Sequence, residues 1–487
     1  MPRGRVRLPH LKIVPALLEL MAKAANPEPV ESHALPENLE FAPAPPATTP
    51  AMPDSPVRIN IIIAIKVDPE DPQGGVPASK TRLKKNLAEM FPALEIGESD
   101  FFLQCLATPA EIQVISGLPG VDMVWPNPDV QAHLLTSVET VRASAGWRTF
   151  EARGKGITWA VMDTGINAKH PHFANLQTVD EKLSKSFVAD DALSDPNGHG
   201  THVAGIIAGM APINSQQGYT ATSFEHDTLE PKSEKLDGSP AGMAPFARLI
   251  SVQVLRKDGG GTAFDCIRGM AYLRGLNQSG RERCVDGANL SLGYDLEATT
   301  YGCGFSPICE EVNRAVDAGI CVVVSCGNSG YGVVESEEAG VSLQTHVGMA
   351  VSISDPANAE QCIAVGSVHK REPHKYGISY FSSKGPTLDG RRKPDLVAPG
   401  ERVISCNASY DPTANPPGDA YREMSGTSMS APHVSGAIAS FLSVRPDFRG
   451  SPREIKRIFM SSAMDLGRDP AYQGSGMVDA FKALTSV

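Results

Sequence analysis

The sequence predicts an α/β protein whose main domain is a parallel sheet with helices on both faces, preceded by a small α+β domain. Two observations carry this prediction. From about Thr136 onward, short apolar runs alternate with helical stretches: ITWAVMD, ARLISVQVL, GANLSLG, GICVVVSCGN and QCIAVGSV. Runs that are apolar on both faces and separated by helices belong to parallel sheets covered on both sides. Between residues 57 and 135 the pattern is different, a short alternation of strands and helices with one apolar face on its first helix.

In chain order, residues 1–56 form a basic leader and a linker. Residues 1–25 carry Arg3, Arg5, Arg7, Lys12 and Lys23 against Glu19. Ile13–Met21 followed by Ala22-Lys23-Ala24 imitates a secretory signal, but Pro15 and Glu19 interrupt its apolar stretch. The favoured reading is a short amphipathic segment on a cytoplasmic protein, with secretion as the alternative. Pro27–Pro56 holds nine prolines in 30 residues and almost no large apolar side chains. Such a stretch has little to bury against its ordering entropy, so an extended, disordered linker is expected.

The domain at 57–135 opens with a strand at 58–66 (RINIIIAIK). A helix follows at 79–91 with Leu83, Leu87, Met90 and Phe91 on one face. Then come a strand at Phe101–Ala107, a helix at Pro109–Leu118 and a strand at Val121–Trp125. This order suits a two-layer sandwich with helices on one side of an antiparallel sheet. The main domain is read as 136–487.

Composition narrows the function classes. Of 487 residues, 41% are hydrophobic and 20% charged, too apolar for a disordered polymer, and 45 glycines are far too few for a collagen. A formal net charge of −11 argues against a nucleic-acid binder. With no run of 18 apolar residues, no membrane-spanning helix is expected. Nine cysteines, an odd number and widely spread, favour a reducing compartment over a disulfide scaffold. Cys303 and Cys309 are near enough in sequence to bridge, whereas Cys321, Cys326 and Cys362 read as small buried thiols. No cysteine or histidine cluster has zinc spacing.

Functional residues in parallel sheets lie at the carboxyl ends of the strands. Three segments there stand out. In VMDTGI, Asp163 ends a strand before a glycine turn; alone it would be a cap or a turn former. In NGHGTHVAG, His199 and His202 open a helix, a weak signal for a metal without an accompanying glutamate. In SGTSMSAPHVSG, Ser428 precedes a helix of small residues, where a lone serine is most often an N-cap. Together they place Asp, His and Ser in the chain order of one known arrangement of the catalytic triad.

These motifs resemble those of subtilisin-like serine peptidases, the subtilases. GMAPFARL at 242–249, VLRKDGGG at 254–261, SLG at 291–293, SCGN at 325–328 and FSSKGPTLDGRRKPDLVAPG at 381–400 extend the resemblance across residues 136–487. It implies a subtilisin-like fold and a serine endopeptidase. Ser428 would be the nucleophile, His199 the general base and Asp163 the residue that orients it. Asn328 would donate to the oxyanion beside the Ser428 backbone N–H. Gly259, Gly260 and Gly261 on one side, with Ser291, Leu292 and Gly293 on the other, would pair with the backbone of an extended protein or peptide substrate. Ser325, Cys326 and Gly327 would line the first specificity pocket, Cys326 narrowing it and offering thiol reagents a target.

The resemblance also marks departures. Secreted subtilisins bind a tight calcium through an Asp in an H-P-D-L segment, and here the segment reads His170-Pro171-His172-Phe173. Calcium wants oxygen ligands, and the completing loop is replaced by a polar insertion at about 211–240, so the strong calcium site is expected to be lost, with room for a weaker one elsewhere. No cofactor is expected. A second enlarged loop at about 331–350 contains Glu335, Glu337 and Glu338; it reads as a solvated acidic loop, or as a cleft rim favouring basic substrate residues. The domain at 57–135 resembles subtilase propeptides and would act as an intramolecular inhibitor. Self-cleavage is then expected between Gln131 and Ser137, with Leu135–Thr136 the best estimate; the alternative is a regulatory domain that stays attached. Two further readings stand beside a self-inhibited, autoprocessed endopeptidase: a processing protease for one partner protein, and a non-catalytic peptide-binding module.

Overall fold

The computed structural model describes residues 13, 17, 18 and 21, then 58–68, 75–98, 101–126, 136–188, 191–212, 218–224, 230–236, 238–278, 284–294, 304–338, 341–411, 413–414 and 418–487. The chain falls into two compact units, Met1–Val130 and Gln131–Val487.

The first unit is a helix-on-sheet sandwich. Strands β1 (Ile59–Ile65), β2 (Gly97–Glu98), β3 (Phe102–Ala107) and β4 (Val121–Pro126) form an antiparallel sheet in the order β2-β3-β1-β4. Period-two alternation puts Ile61 and Ile63 in the core and leaves Ile62 half-buried. Helix Gly75–Met90 adds Leu83 and Leu87 to that core, and helix Pro109–Gly117 adds Ile112 and Ile115. Thr108 starts the second helix through a capping box. Its hydroxyl accepts from Glu111 N at 3.3 Å, and the Glu111 carboxylate accepts from Thr108 N at 2.7 Å.

One feature departs from the sequence reading of residues 1–56. Ile13, Leu17 and Met21 are buried in this same core, Leu17 with 0% of its surface exposed, and Ile13 bridges to Val124. Leu17 and Met21 are helical, and their spacing of four sets them on one stripe. Amphipathicity was legible in the sequence; the surface that accepts it was not. The proline-rich stretch expected to be a linker lies outside the described residues.

In the second unit the strands are β5 (Thr158–Asp163), β6 (Lys185–Ser186), β7 (Tyr219–Phe224), β8 (Pro231–Leu236), β9 (Arg248–Gln253) and β10 (Gly287–Leu290). They continue as β11 (Cys321–Ser325), β12 (Tyr331–Glu338), β13 (Val341–Gly348), β14 (Ile363–His369), β15 (Leu396–Glu401), β16 (Val403–Cys406) and β17 (Tyr421–Met424). Among the described residues, seven of them make one wholly parallel sheet in the order β15-β14-β11-β10-β5-β9-β6. Alternate residues of each strand enter opposite cores. Trp159, Val161, Cys321 and Val323 face the helices His199–Ile207 and Thr427–Val444, whereas Ala160, Met162, Val322 and Val324 face Ala263–Gln278 and Pro307–Asp317. Helices therefore cover both faces, as the doubly apolar runs predicted.

Both insertions expected as loops form hairpins. β7 and β8 pair antiparallel, and β7 joins β17 in a second sheet of order β16-β17-β7-β8. Tyr219, Ala221 and Leu236 from this hairpin are buried, and Thr222 and Ser233 donate to Asp419 at 2.6 Å each. β12 and β13 pair over their whole length, from Tyr331↔Gly348 to Glu338↔Val341. Neither hairpin was read from the sequence, although β7 buries every second residue, Tyr219, Ala221 and Ser223.

Candidate active site

The sheet topology brings the three motif segments to one end of the strands. Asp163 is the last residue of β5, His199 opens the helix His199–Ile207, and Ser428 is second in the helix Thr427–Val444. Buried Asp163 accepts at Oδ1 from His199 Nδ1 at 2.7 Å and from Thr164 N at 2.8 Å. A carboxylate can only accept, so Nδ1 carries the imidazole proton and Nε2 keeps its lone pair. Burial alone would lower the basicity of the ring. The charge and hydrogen bond of Asp163, with the charge of Asp195 beyond, outweigh it and hold the His199 pKa above its ordinary value.

Ser428 is held by a reciprocal pair of bonds. Its hydroxyl donates to Ser291 O at 3.1 Å, and the Ser291 hydroxyl donates to Ser428 O at 2.8 Å. The Ser428 carbonyl is open to this bond because the residue four positions on is Pro432, which has no N–H to offer. Ser291 is fixed in turn by Asn289, whose Nδ2 donates to Ser291 Oγ at 2.9 Å while its Oδ1 accepts from Ser435 at 2.9 Å. None of the hydrogen bonds between described residues joins Ser428 Oγ to His199. A turn about one side-chain bond re-aims the hydroxyl, and such bonds are commonly loose before substrate arrives.

Asn328 follows β11 across a left-handed Gly327 at φ 103°. Its Oδ1 accepts from Thr427 N at 2.9 Å and from Thr427 Oγ1 at 3.1 Å. Both acceptor contacts lie at one end of the amide, which leaves Nδ2 as the donor. Ser428 N–H lies in the first turn of its helix, where backbone donors have no partner within the helix. Thr427 was not singled out in the sequence. Its position beside Ser428 was visible, but its bond to a residue about a hundred positions away was not.

A cleft of about 570 Å³ runs past these groups. His199, Asn328 and Ser428 line it, together with Gly259, Gly260, Gly261, Ser291, Leu292, Gly293, Ser325 and Gly327. Cys326 is a correction. It is 0% exposed, and its thiol faces Ser382 Oγ and the Ser383 carbonyl at 3.8 and 3.5 Å. Burial pushes that thiol up to about 12, so it neither narrows the pocket nor offers thiol reagents a target. The reason is packing: just past the end of β11, Cys326 joins Val322 and Val324 in the core on that face of the sheet. Ser354 and Cys266 line the cleft, and Cys326 does not. Leu135 lies outside the described residues, and Thr136 opens a short helix, Thr136–Thr140. The side chains of Glu335, Glu337 and Glu338 also lie outside the described residues.

The position where the resemblance would place calcium does not suit that ion. His172 is buried, with Nδ1 3.1 Å from Tyr421 OH and Nε2 3.1 Å from Ala208 O, and the rings of His170, Phe173 and Tyr421 pack around it. Burial and the neighbouring His170 depress its pKa to about 3, so the ring is neutral and both nitrogens are already engaged. An ion that takes six to eight oxygens finds no carboxylate there. Among the described residues no cluster of His, Cys, Asp or Glu is set to hold a metal, and no helix is long and apolar enough to cross a membrane.

Comparison with known proteins agrees with this geometry. Residues 154–478 match the family described as the Subtilase family. The chain is 32% identical over 392 residues to serine protease AprX of Bacillus subtilis, spanning 77% of this chain and 76% of that protein. It is 32% identical to the major intracellular serine protease of Bacillus subtilis, over 62% of this chain and 73% of the other. Subtilisin BL of Lederbergia lenta is also 32% identical, over 67% of this chain and 90% of its own.

Proposed function

Because this chain belongs to the subtilase family and is a serine-type endopeptidase, we propose that it cleaves peptide bonds through Asp163, His199 and Ser428. Ser428 Oγ attacks the scissile carbonyl carbon while His199 Nε2 takes its proton. The C=O π pair moves onto oxygen, where Asn328 Nδ2 and the Ser428 N–H stabilise the oxyanion. Collapse of the intermediate breaks the C–N bond, His199 returns the proton to the leaving amine, and an acyl-Ser428 ester remains. Water, deprotonated by His199 in the same way, then releases the acid and restores the hydroxyl. Asp163 keeps the imidazole in the required tautomer and stabilises the imidazolium.

The observation that carries this reading is the 2.7 Å Asp163–His199 bond beside a cleft that also holds Ser428 and Asn328. A substrate strand would lie between Gly259–Gly261 and Ser291–Gly293. Hydrolysis of casein and of a peptide library tests it, with the Asn328→Ala variant measured beside the wild type. That variant is expected to lose about 10²–10³-fold in kcat, with KM little changed, because the donor acts only on the developing charge. An unaltered kcat would remove Asn328 from the oxyanion site.

The pH profile offers a second check. His199 must be neutral to accept a proton, and its folded pKa lies above 6.5. Activity is therefore expected to be full above that raised pKa and to fall away as the pH drops through it. A kcat/KM profile whose acid limb sits below pH 6.5 would contradict the assignment.

The first unit is read as an inhibitor domain of a self-processed precursor, cut between Gln131 and Ser137. Its likeness to an α/β propeptide rests on the order β1-helix-β3-helix-β4, and the sheet turns Phe102, Leu106 and Trp125 outward as an apolar face suited to covering another surface. A cytoplasmic site of action suits the eight described cysteines, all of them free, and the intracellular protease among the relatives. Catalysis by this arrangement needs no cofactor. The hairpin β12–β13, which rises directly after Asn328, favours one second reading, a processing protease selective for one protein partner. Rapid casein degradation separates a general protease from that case.

A further inference from the structure

Asp195 lies four residues before His199, in the sequence Asp195-Pro196-Asn197-Gly198-His199, and is 5% exposed. Its carboxylate accepts four hydrogen bonds. Oδ1 takes Thr164 Oγ1 at 2.8 Å and Gly198 N at 2.9 Å; Oδ2 takes Thr201 N at 2.8 Å and Thr201 Oγ1 at 2.7 Å. All four donors are neutral, so the buried charge is solvated by fixed dipoles and is not cancelled by a cation. The left-handed Gly198, at φ 92°, folds the turn back far enough for its own N–H to reach the carboxylate.

These donors sit on both sides of the reacting pair. Thr164 is the neighbour of Asp163, and its hydroxyl also accepts from Gly200 N at 3.0 Å. Gly198 and Thr201 bracket His199 at the start of its helix. One carboxylate thus ties the end of β5 to the first turn of the helix His199–Ile207, setting the distance across which Asp163 and His199 meet. The other titratable or charged groups nearby are His202, one turn along the same helix; Arg422 of β17, whose guanidinium lies beside Gly198; Lys169, Glu181 and Asp191, which line a cavity with Asp195; and Cys266, which lines the cleft with His199. Burial depresses the His202 pKa to about 3, so it stays neutral. Asp163 and Asp195 are the two negative charges acting on His199.

We propose that Asp195 is a positioning residue of the reaction: it locks the His199 helix onto the Asp163 turn, and its buried charge sustains the imidazolium formed during acyl transfer. The proposal rests on the triad reading above. It separates two effects that a purely structural residue would not combine, a loss of kcat through misplacement and a displacement of the pH profile through lost charge. Misplacement by about an ångström costs up to roughly 10²-fold.

The test is the pH dependence of kcat and kcat/KM for full-length wild type and Asp195→Asn on a short chromogenic peptide. Active sites are counted with a fluorophosphonate. The expected result per active site is a kcat 10- to 100-fold lower, a KM little changed, and an acid limb moved to lower pH. An acid limb coinciding with that of the wild type overturns the proposal, whatever happens to thermal stability. Asp195→Glu restores the charge while disturbing the four bonds, so its acid limb should stay near the wild type while kcat remains low; a limb displaced as far as in the Asn variant overturns it. If neither folds, Thr201→Ala removes one donor and keeps the charge: a several-fold loss of kcat with an unmoved acid limb supports the proposal, and an unchanged kcat overturns it. A wild type that takes up no probe overturns the triad reading itself, and this proposal with it.

Discussion

Ser428→Ala is expected to lower kcat about 10⁶-fold, to abolish labelling by a fluorophosphonate and to leave the purified chain at full length. The magnitude follows from removing the one group that forms the covalent intermediate. Asn328 and the Ser428 N–H would still stabilise an oxyanion, so about 10³–10⁴-fold acceleration over water should remain. The fold should tolerate the change, because Ser291 Oγ still donates to the backbone carbonyl of residue 428 and only the bond from Ser428 Oγ to Ser291 O is lost. Intact mass before and after the probe reads all three consequences at once. A wild type shortened near residue 135 and heavier by one probe, beside an unshortened and unlabelled variant, supports the nucleophile and self-processing together. Should the variant also be shortened, processing in trans replaces self-cleavage. Should it still hydrolyse peptides at the wild-type rate, Ser428 is not the nucleophile.

Leu17→Asp is expected to unfold the first unit. Leu17 is 0% exposed among Ile13, Met21 and the sheet residues of that core. Truncating a buried leucine costs about 2–5 kcal/mol, and the aspartate adds an unpaired charge worth several kcal/mol more. A sandwich of this size holds only about 5–15 kcal/mol in all. Hydrogen exchange on the full chain, in the Ser428→Ala background so that self-cleavage does not intervene, should show loss of protection in β1, β3 and β4 while the parallel sheet keeps its own. Leu17→Met, close in volume, should cost less than about 1.5 kcal/mol. Full protection in the Asp variant would mean that residues 13–21 do not belong to this core. The outcome also bears on the leader: a segment needed to complete a hydrophobic core is poorly suited to removal as a secretory signal.

The sequence alone determined the parts of this protein that depend on short stretches of chain. Apolar runs such as ITWAVMD and CVVVS announced strands buried on both faces, because no other placement keeps so many consecutive apolar residues from water. Asp163, His199, Ser428 and Asn328 were singled out because each sits in a short motif resembling those of subtilases, and the structure places His199, Ser428 and Asn328 along one cleft with Asp163 bonded to His199. The order of strand and helix in the first unit was legible from short stretches as well, apart from the two-residue β2 and the Thr108–Glu111 cap, which the structure added.

Tertiary structure decided whatever depends on a partner far away in the chain. Ile13, Leu17 and Met21 were visibly amphipathic, but the core that takes them is built from residues about forty or more positions further on. Cys326 looked like a pocket wall until the structure showed it packed with Val322 and Val324 in a core. Parity along a strand relates neighbouring side chains, and only the assembled sheet says which face is inside. The hairpins in the two insertions were not read from the sequence: β7 buries Tyr219 and Ala221, but the strand it joins, β17, comes 200 residues later. Asp195 was one acid in a polar turn; Gly198 and Thr201 follow it closely in the chain, but Thr164, the donor that joins it to the end of β5, lies 31 residues away. The residues proposed to react sit in short motifs visible in the sequence; the contacts that bring them together, such as Asp163 with His199 and Thr427 with Asn328, span 36 and 99 residues and form only on folding.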